Sequence, residues 1–290
     1  MARAAKAANA KIRSRARALS LALAPAPATA RRQTRRPRRK AGSAPPAAAT
    51  RVTSARAALS ALMALGNAGA AQFATRFFKT GKGQYGEGDR FLGIRVPVLR
   101  SVVRDFRDAG LEVALPLLKS GWHEARAMGL MLLVRLYQRG DENTRRRIYR
   151  LYLNSTKLIN NWDLVDMSAE HIVGAWLDGK PAERRRVLGR LASSKSLWER
   201  RMAVLATFHY IKKGEAAETL RVAKLLLKDE EDLIQKAVGW MLREVGKRVG
   251  EDQEESFLKR YYKQMPRTML RYAIERFAEP KRKRYLAGLI

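Results

Sequence analysis

Trp162 and Asp166 stand four residues apart, a spacing that stacks both side chains on one face of a helix. The chain carries a net charge of +32, so a carboxylate at this position needs a reason. One reading is local: Asn161 caps a helix whose first turns hold Asp163 and Asp166, where acids complement the helix dipole. The other is chemical: an indole face attracts positive charge, and a carboxylate stabilises an oxocarbenium centre, so the pair suits a cationic, sugar-bearing ligand.

Two further helical stretches carry residues of the same kind. In the helix read over Leu197 to Lys212, the stripe Leu197, Arg201, Val204, Phe208, Ile211 is apolar except for Arg201. An arginine set into such a stripe snorkels, pairs with a buried acid, or meets a phosphate with its planar fork at a groove edge. Trp198 beside it reads as a core anchor. In the helix read over Asp232 to Arg248, the stripe is Ile234, Ala237 or Val238, Met241 and Val245, and Trp240 falls off it. Its neighbours on that face are Lys236, Arg243 and Lys247, the aromatic and basic interleaving expected where sugars or bases stack amid phosphate contacts. The competing reading is an amphipathic tryptophan that covers its neighbours.

These residues must be positioned by something, and the composition bounds what. With 290 residues, 46% hydrophobic, the chain can build a sizeable core. It has no cysteine, which removes disulfides, thiol catalysis and iron–sulfur or cysteine zinc sites, and points to a reducing compartment. His123, His171 and His209 form no close ligand pair, so no metal or other cofactor is expected. No apolar run is long enough for a membrane span. No acidic residue precedes Glu87. Such a field gathers polyanions, above all nucleic acid.

Along the chain, residues 1–52 are rich in Ala, Arg, Pro and Ser and read as a disordered basic extension: a DNA-binding arm, a transit peptide or an upstream extension. Residues 53–290 form the folded domain. Ala55 to Lys79 reads as a helical hairpin broken at Gly66-Asn67. Gly81-Lys82-Gly83-Gln84-Tyr85-Gly86 matches GxGxxG, but with no strand before it and no helix directly after it is a loop, not a dinucleotide site. From Pro97 onward helix follows helix, with breaks near Gly110, Gly121, Gly140, Asn160-Asn161, Gly179-Lys180-Pro181, Gly214, Asp229, Gly250 and Pro266. The segments beginning Glu124-Ala-Arg126, Glu199-Arg-Arg201 and Ile234-Gln-Lys236 align, with Asp163 at the equivalent position between the first two. A period of about 35 to 38 residues and a two-helix unit describe an all-α, HEAT-like or armadillo-like helical-repeat solenoid with a concave basic groove.

Four ordered motifs carry a resemblance. Asn-Trp-Asp-Leu-Val-Asp at 161–166, Trp-Glu-Arg-Arg at 198–201, Gln-Lys-Ala-Val-Gly-Trp-Met-Leu-Arg-Glu at 235–244 and Gly-Glu-Gly-Asp-Arg-Phe-Leu-Gly-Ile-Arg-Val-Pro at 86–97 are similar to the AlkD family of DNA alkylation repair glycosylases, from about residue 58 to the C-terminus. The resemblance implies a solenoid that grips duplex DNA and removes N3- and N7-alkylated purines without flipping the base. It further implies Asp166 as the catalytic carboxylate, Trp162 and Trp240 as the aromatic pair at the lesion's deoxyribose, and Arg201 at the backbone beside the lesion. Lys236, Arg243 and Lys247, read from the basic face around Trp240, are the expected further DNA contacts.

The expected protein is a monofunctional alkylpurine glycosylase, a cytoplasmic monomer unless the extension directs it to an organelle. Two alternatives stay open: a noncatalytic repeat protein that binds nucleic acid or a protein partner through the same groove, and an RNA-binding repeat protein.

Overall fold

The computed structural model describes residues 54–290, so the basic extension of residues 1–52 lies outside the described residues. The described chain is built from helices, and its single β-bridge joins Arg90 to Trp122. It is an all-α helical-repeat solenoid.

Two helices lead in, α1 (Ala55–Ala64) and α2 (Ala68–Phe77), each capped by a side chain: Ser54 accepts from the Ala57 amide and Asn67 from the Ala70 amide. Their axes turn by 100° at the Gly66-Asn67 break. The expected hairpin is therefore a corner, because Gly66 and Asn67 start a new helix rather than reverse the old one. After the loop come α3 (Val96–Asp105), with Pro97 in its first turn, α4 (Leu111–Leu118) and α5 (His123–Arg139).

The middle of the chain holds α6 (Glu142–Asn154), the short α7 (Trp162–Asp166), a π-turn (Glu170–Gly174) and α8 (Pro181–Ala192). Next are α9 (Leu197–Ala206) and α10 (Phe208–Lys212). The single helix read from Leu197 to Lys212 is thus two, because the Thr207 hydroxyl donates to the Val204 carbonyl at 2.7 Å and diverts the helical ladder. The chain closes with α11 (Ala217–Leu225), α12 (Asp232–Arg248), α13 (Glu251–Tyr261), α14 (Arg267–Ala273) and α15 (Glu279–Ala287).

One continuous hydrophobic core runs from Ala58 and Leu62 on α1 to Tyr285 on α15, as expected when each helical layer buries its apolar face on the next. Two equivalent positions of the repeat show how closely the layers approach. A Cβ on Gly129 would sit 2.8 Å from the Ala114 carbonyl oxygen of α4, and one on Gly239 would run into the Met269 carbonyl of α14. Both glycines are helical, where glycine costs about 1 kcal/mol relative to alanine; here the missing side chain lets helix backbones touch. On α12 the apolar stripe lies fully inside, with Ile234, Ala237, Val238, Met241 and Val245 all within 1% of complete burial.

Candidate active site

The local chemistry of α7 explains why so short a helix exists. Asn161, itself buried, accepts the Trp162 amide at 2.8 Å on its side-chain oxygen, and Asp163 accepts the Leu164 amide at 2.9 Å. At the other end Ser168 donates to the Leu164 carbonyl at 2.6 Å and meets the Tyr152 hydroxyl at 2.8 Å. These side-chain bonds compete with helix propagation and stop it within two turns. Trp162, Asp163 and Asp166 are therefore held on a rigid, pinned segment.

The two acids of α7 do different work. Asp163 is 6% exposed and serves as one pole of a buried relay rather than as a simple complement to the helix dipole. His123 Nε2 lies 2.8 Å from Asp163 and Nδ1 lies 2.8 Å from Asp89, while Arg126 donates to the other Asp89 oxygen at 2.7 Å. Burial alone would depress the imidazole, but the Asp163 charge and the hydrogen bonds to both carboxylates outweigh it and raise His123 to about 9. For Asp89, burial pushes upward and is overcome by His123 and Arg126, which hold it below the ordinary aspartate range. Glu124, in the same first turn of α5, accepts the amides of Leu92, Gly93 and Ile94 at 2.8 to 3.1 Å. The start of α5 thus clamps the segment from Asp89 to Ile94 and ties it to α7.

Asp166 faces Arg201. The guanidinium spans both carboxylate oxygens, Nε and Nη2 each at 2.8 Å, and its remaining nitrogen donates to the Leu233 carbonyl at 2.5 Å. Both side chains are more than 90% buried. Of the readings open for Arg201, the structure shows the pairing with a buried acid. Burial raises the Asp166 carboxyl, the Arg201 charge and hydrogen bonds oppose this, and neighbouring Asp163 adds to the rise; the net direction is upward. Through Leu233, the same arginine connects α7 and α9 to α12, the helix that carries Trp240.

Trp162 is fixed from one side. Its ring stacks on Phe78 at 5.3 Å and meets Phe77 edge-on at 6.0 Å, and Phe78 continues the stack to Phe91 at 4.9 Å and so to His123. Trp198 meets Tyr85 edge-on at 5.9 Å. Trp240 is half-buried, 6.0 Å from Phe208, and packs against the core. It lies on α12, beyond the α9 layer of Arg201, and not in the Trp162 stack.

The three cations read around Trp240 differ in their commitments. Lys236 pairs with Asp232, and Arg243 pairs with Glu275 and lies 3.6 Å from Glu244. Lys247 is exposed.

Sequence reasoning missed His123, Asp89 and Tyr85. The histidine and aspartate announce themselves only in space, since Asp89, His123 and Asp163 come from three separate segments. For Tyr85 the sequence signal is a lone aromatic in a glycine-rich loop.

Fold and site together define a helical-repeat protein whose layers converge on a buried aspartate–arginine pair flanked by tryptophan. The chain belongs to the DNA alkylation repair enzyme family, whose model matches residues 58–277. Among solved structures it is similar to a protein described as a predicted DNA alkylation repair enzyme from Enterococcus faecalis, with a TM-score of 0.58 and 18% identity over 74% of this chain and 97% of that one. No curated protein matches the sequence. At that identity the structural likeness speaks for the fold alone, and the family match is what assigns the chain to DNA repair.

Proposed function

We propose that this protein is a DNA glycosylase that hydrolyses the N-glycosidic bond of cationic N3- and N7-alkylated purines in duplex DNA, with Asp166 as its catalytic carboxylate. The observation that carries the reading is the pairing of Asp166 with Arg201, one helical turn from Trp162. A carboxylate buried in a protein of net charge +32 and held across both oxygens by a planar guanidinium has a fixed orientation.

The substrate explains why one carboxylate is enough. A neutral purine must be protonated before it departs, whereas an N3- or N7-alkylated purine already carries positive charge and leaves without a general acid. The remaining tasks are to stabilise the oxocarbenium sugar and to orient water, both of which an ionised Asp166 performs. The faces of Trp162 and Trp240 attract the cationic sugar and base by about 0.5 to 2 kcal/mol per contact. In this reading Arg201 positions Asp166 in the free protein and shares itself with the DNA backbone when the lesion is bound. Lys236, Arg243 and Lys247 add phosphate contacts.

A second reading has an observation of its own. Both Asp166 oxygens are already taken by Arg201, as they would be in a purely structural buried pair, and a noncatalytic nucleic-acid-binding protein follows from that. Lesion charge separates the two. Matched duplexes carrying 7-methylguanine or the neutral base hypoxanthine are incubated with excess enzyme, and we expect release of 7-methylguanine at least about 100-fold faster. Equal rates would contradict catalysis without a general acid, and release of neither base would favour the binding protein.

A further inference from the structure

The loop between α2 and α3 is anchored by side chains at its C-terminal end and by a backbone bond, Gly86 amide to Lys79 carbonyl at 3.1 Å, at its start. Asp89 locks its C-terminal end into His123, Arg126 and Asn161, whereas the tip bonds to itself, through the Gly81 amide to Gln84 and the Gly83 amide to Glu87. Tyr85 is the side chain that reaches from the tip to α9. Its ring lies edge-on to Trp198 on α9, and its hydroxyl stands beside the Trp162 indole and within the electrostatic reach of Arg201, Asp163 and Asp232. The phenol therefore sits between the two elements that carry Asp166 and Arg201.

A second observation lies at the root of the loop. Lys79 is the described non-glycine residue with positive φ, at 53°, where the Thr80 amide reaches back to the Thr75 carbonyl and ends α2. Glycine is the usual occupant of that helix-ending position, and a side chain there costs on the order of 1 kcal/mol. What lysine supplies in return is its ammonium, exposed and 5.8 Å from the Tyr85 ring centroid. Strain of this kind concentrates where a side chain is needed.

We propose that Tyr85 and Lys79 form a phosphate-binding element of the lesion site, the Tyr85 hydroxyl donating to a backbone phosphate oxygen of the damaged strand while Lys79 supplies the charge. The hydroxyl can accept from the Trp162 N–H, which leaves its own proton free to donate, and Arg201 on one side and Lys79 on the other favour an anionic acceptor over a neutral one. Burial, the largest influence on the phenol, keeps it protonated and so a donor. The inference rests on the glycosylase reading for the word lesion, but the phosphate contact can be measured without turnover.

The test pairs Tyr85→Phe with neutral methylphosphonates placed one at a time along a duplex containing a cationic pyrrolidine nucleotide as a sugar mimic. Binding is read by fluorescence anisotropy. Wild type should lose affinity at one or two phosphates flanking the mimic. Tyr85→Phe should bind the unmodified duplex about 3- to 10-fold more weakly and lose nothing further when those phosphates are neutralised; Lys79→Gly should weaken binding while raising thermal stability. Equal affinity of Tyr85→Phe and wild type, or the same methylphosphonate losses in both, would overturn the proposal. If wild type releases no 7-methylguanine while this coupling persists, the glycosylase reading fails and the phosphate contact stands.

Discussion

At the scale of single residues, the charge of Asp166 is set by two opposed effects. Its carboxyl is pushed upward by burial and held down by Arg201, with the upward effect prevailing. On the glycosylase reading excision needs the ionised form, so the single-turnover rate should fall as pH drops through the Asp166 pKa, with a midpoint above the ordinary aspartate value of 3.8 and a limiting slope of one decade per pH unit. A rate that stays flat from about pH 7 down to pH 4 would remove Asp166 from the chemistry. This pair also shows what sequence could and could not reveal. Residue types and spacing placed Trp162 and Asp166 on one helix face, and Arg201 in an apolar stripe was correctly unusual. That the two charges meet each other is a fact of the layer packing, which brings α7 against α9.

At the scale of elements, the start of α5 acts as a clamp. His123 bridges Asp89 and Asp163, so the loop carrying Tyr85 and the helix carrying Trp162 share one buried imidazolium. The folded His123 pKa of about 9 lies above the ordinary histidine value of 6.5. Its stabilising contribution is therefore complete below about pH 6.5 and is lost as pH rises through 9. The lowered Asp89 contributes above 3.8 and loses its contribution as pH falls through its depressed value. Melting temperature should decline between pH 6.5 and 9.5 in the wild type, by the equivalent of roughly 2 to 3 kcal/mol. His123→Gln should be less stable at pH 6 and lack most of that decline; the same alkaline slope in both proteins would show that His123 is not the titrating group.

Element boundaries were largely legible, because capping residues mark them: Asp141 accepts the Thr144 amide to open α6, Pro181 opens α8, and α12 spans the expected Asp232 to Arg248. The break at Thr207 was not legible, since a threonine inside an apolar stripe carries no turn signal until its hydroxyl is seen bonding back to Val204. Nor was the 100° corner between α1 and α2, where the same Gly-Asn pair fits a reversal or a right-angle turn.

At the scale of the molecule, an aligned repeat in the sequence became a stack of helical layers, and the repeat positions acquired physical meaning. Arg126, Asp163 and Arg201, aligned by spacing alone, each hold a buried ionic contact, and Gly129 and Gly239 mark where layers touch. The stack places Asp166 and Trp162 on one layer, Arg201 on the next and Trp240 on a third.

The measurement that tests this most directly is chromatographic release of free 7-methylguanine and 3-methyladenine from methylated duplex DNA by wild type and by Asp166→Asn, with duplex binding followed in parallel. A glycosylase with Asp166 as its catalytic carboxylate should release both bases as wild type, lose at least about 100-fold in Asp166→Asn, and keep DNA affinity within a few-fold of wild type in that variant. Release by Asp166→Asn at the wild-type rate would contradict that role.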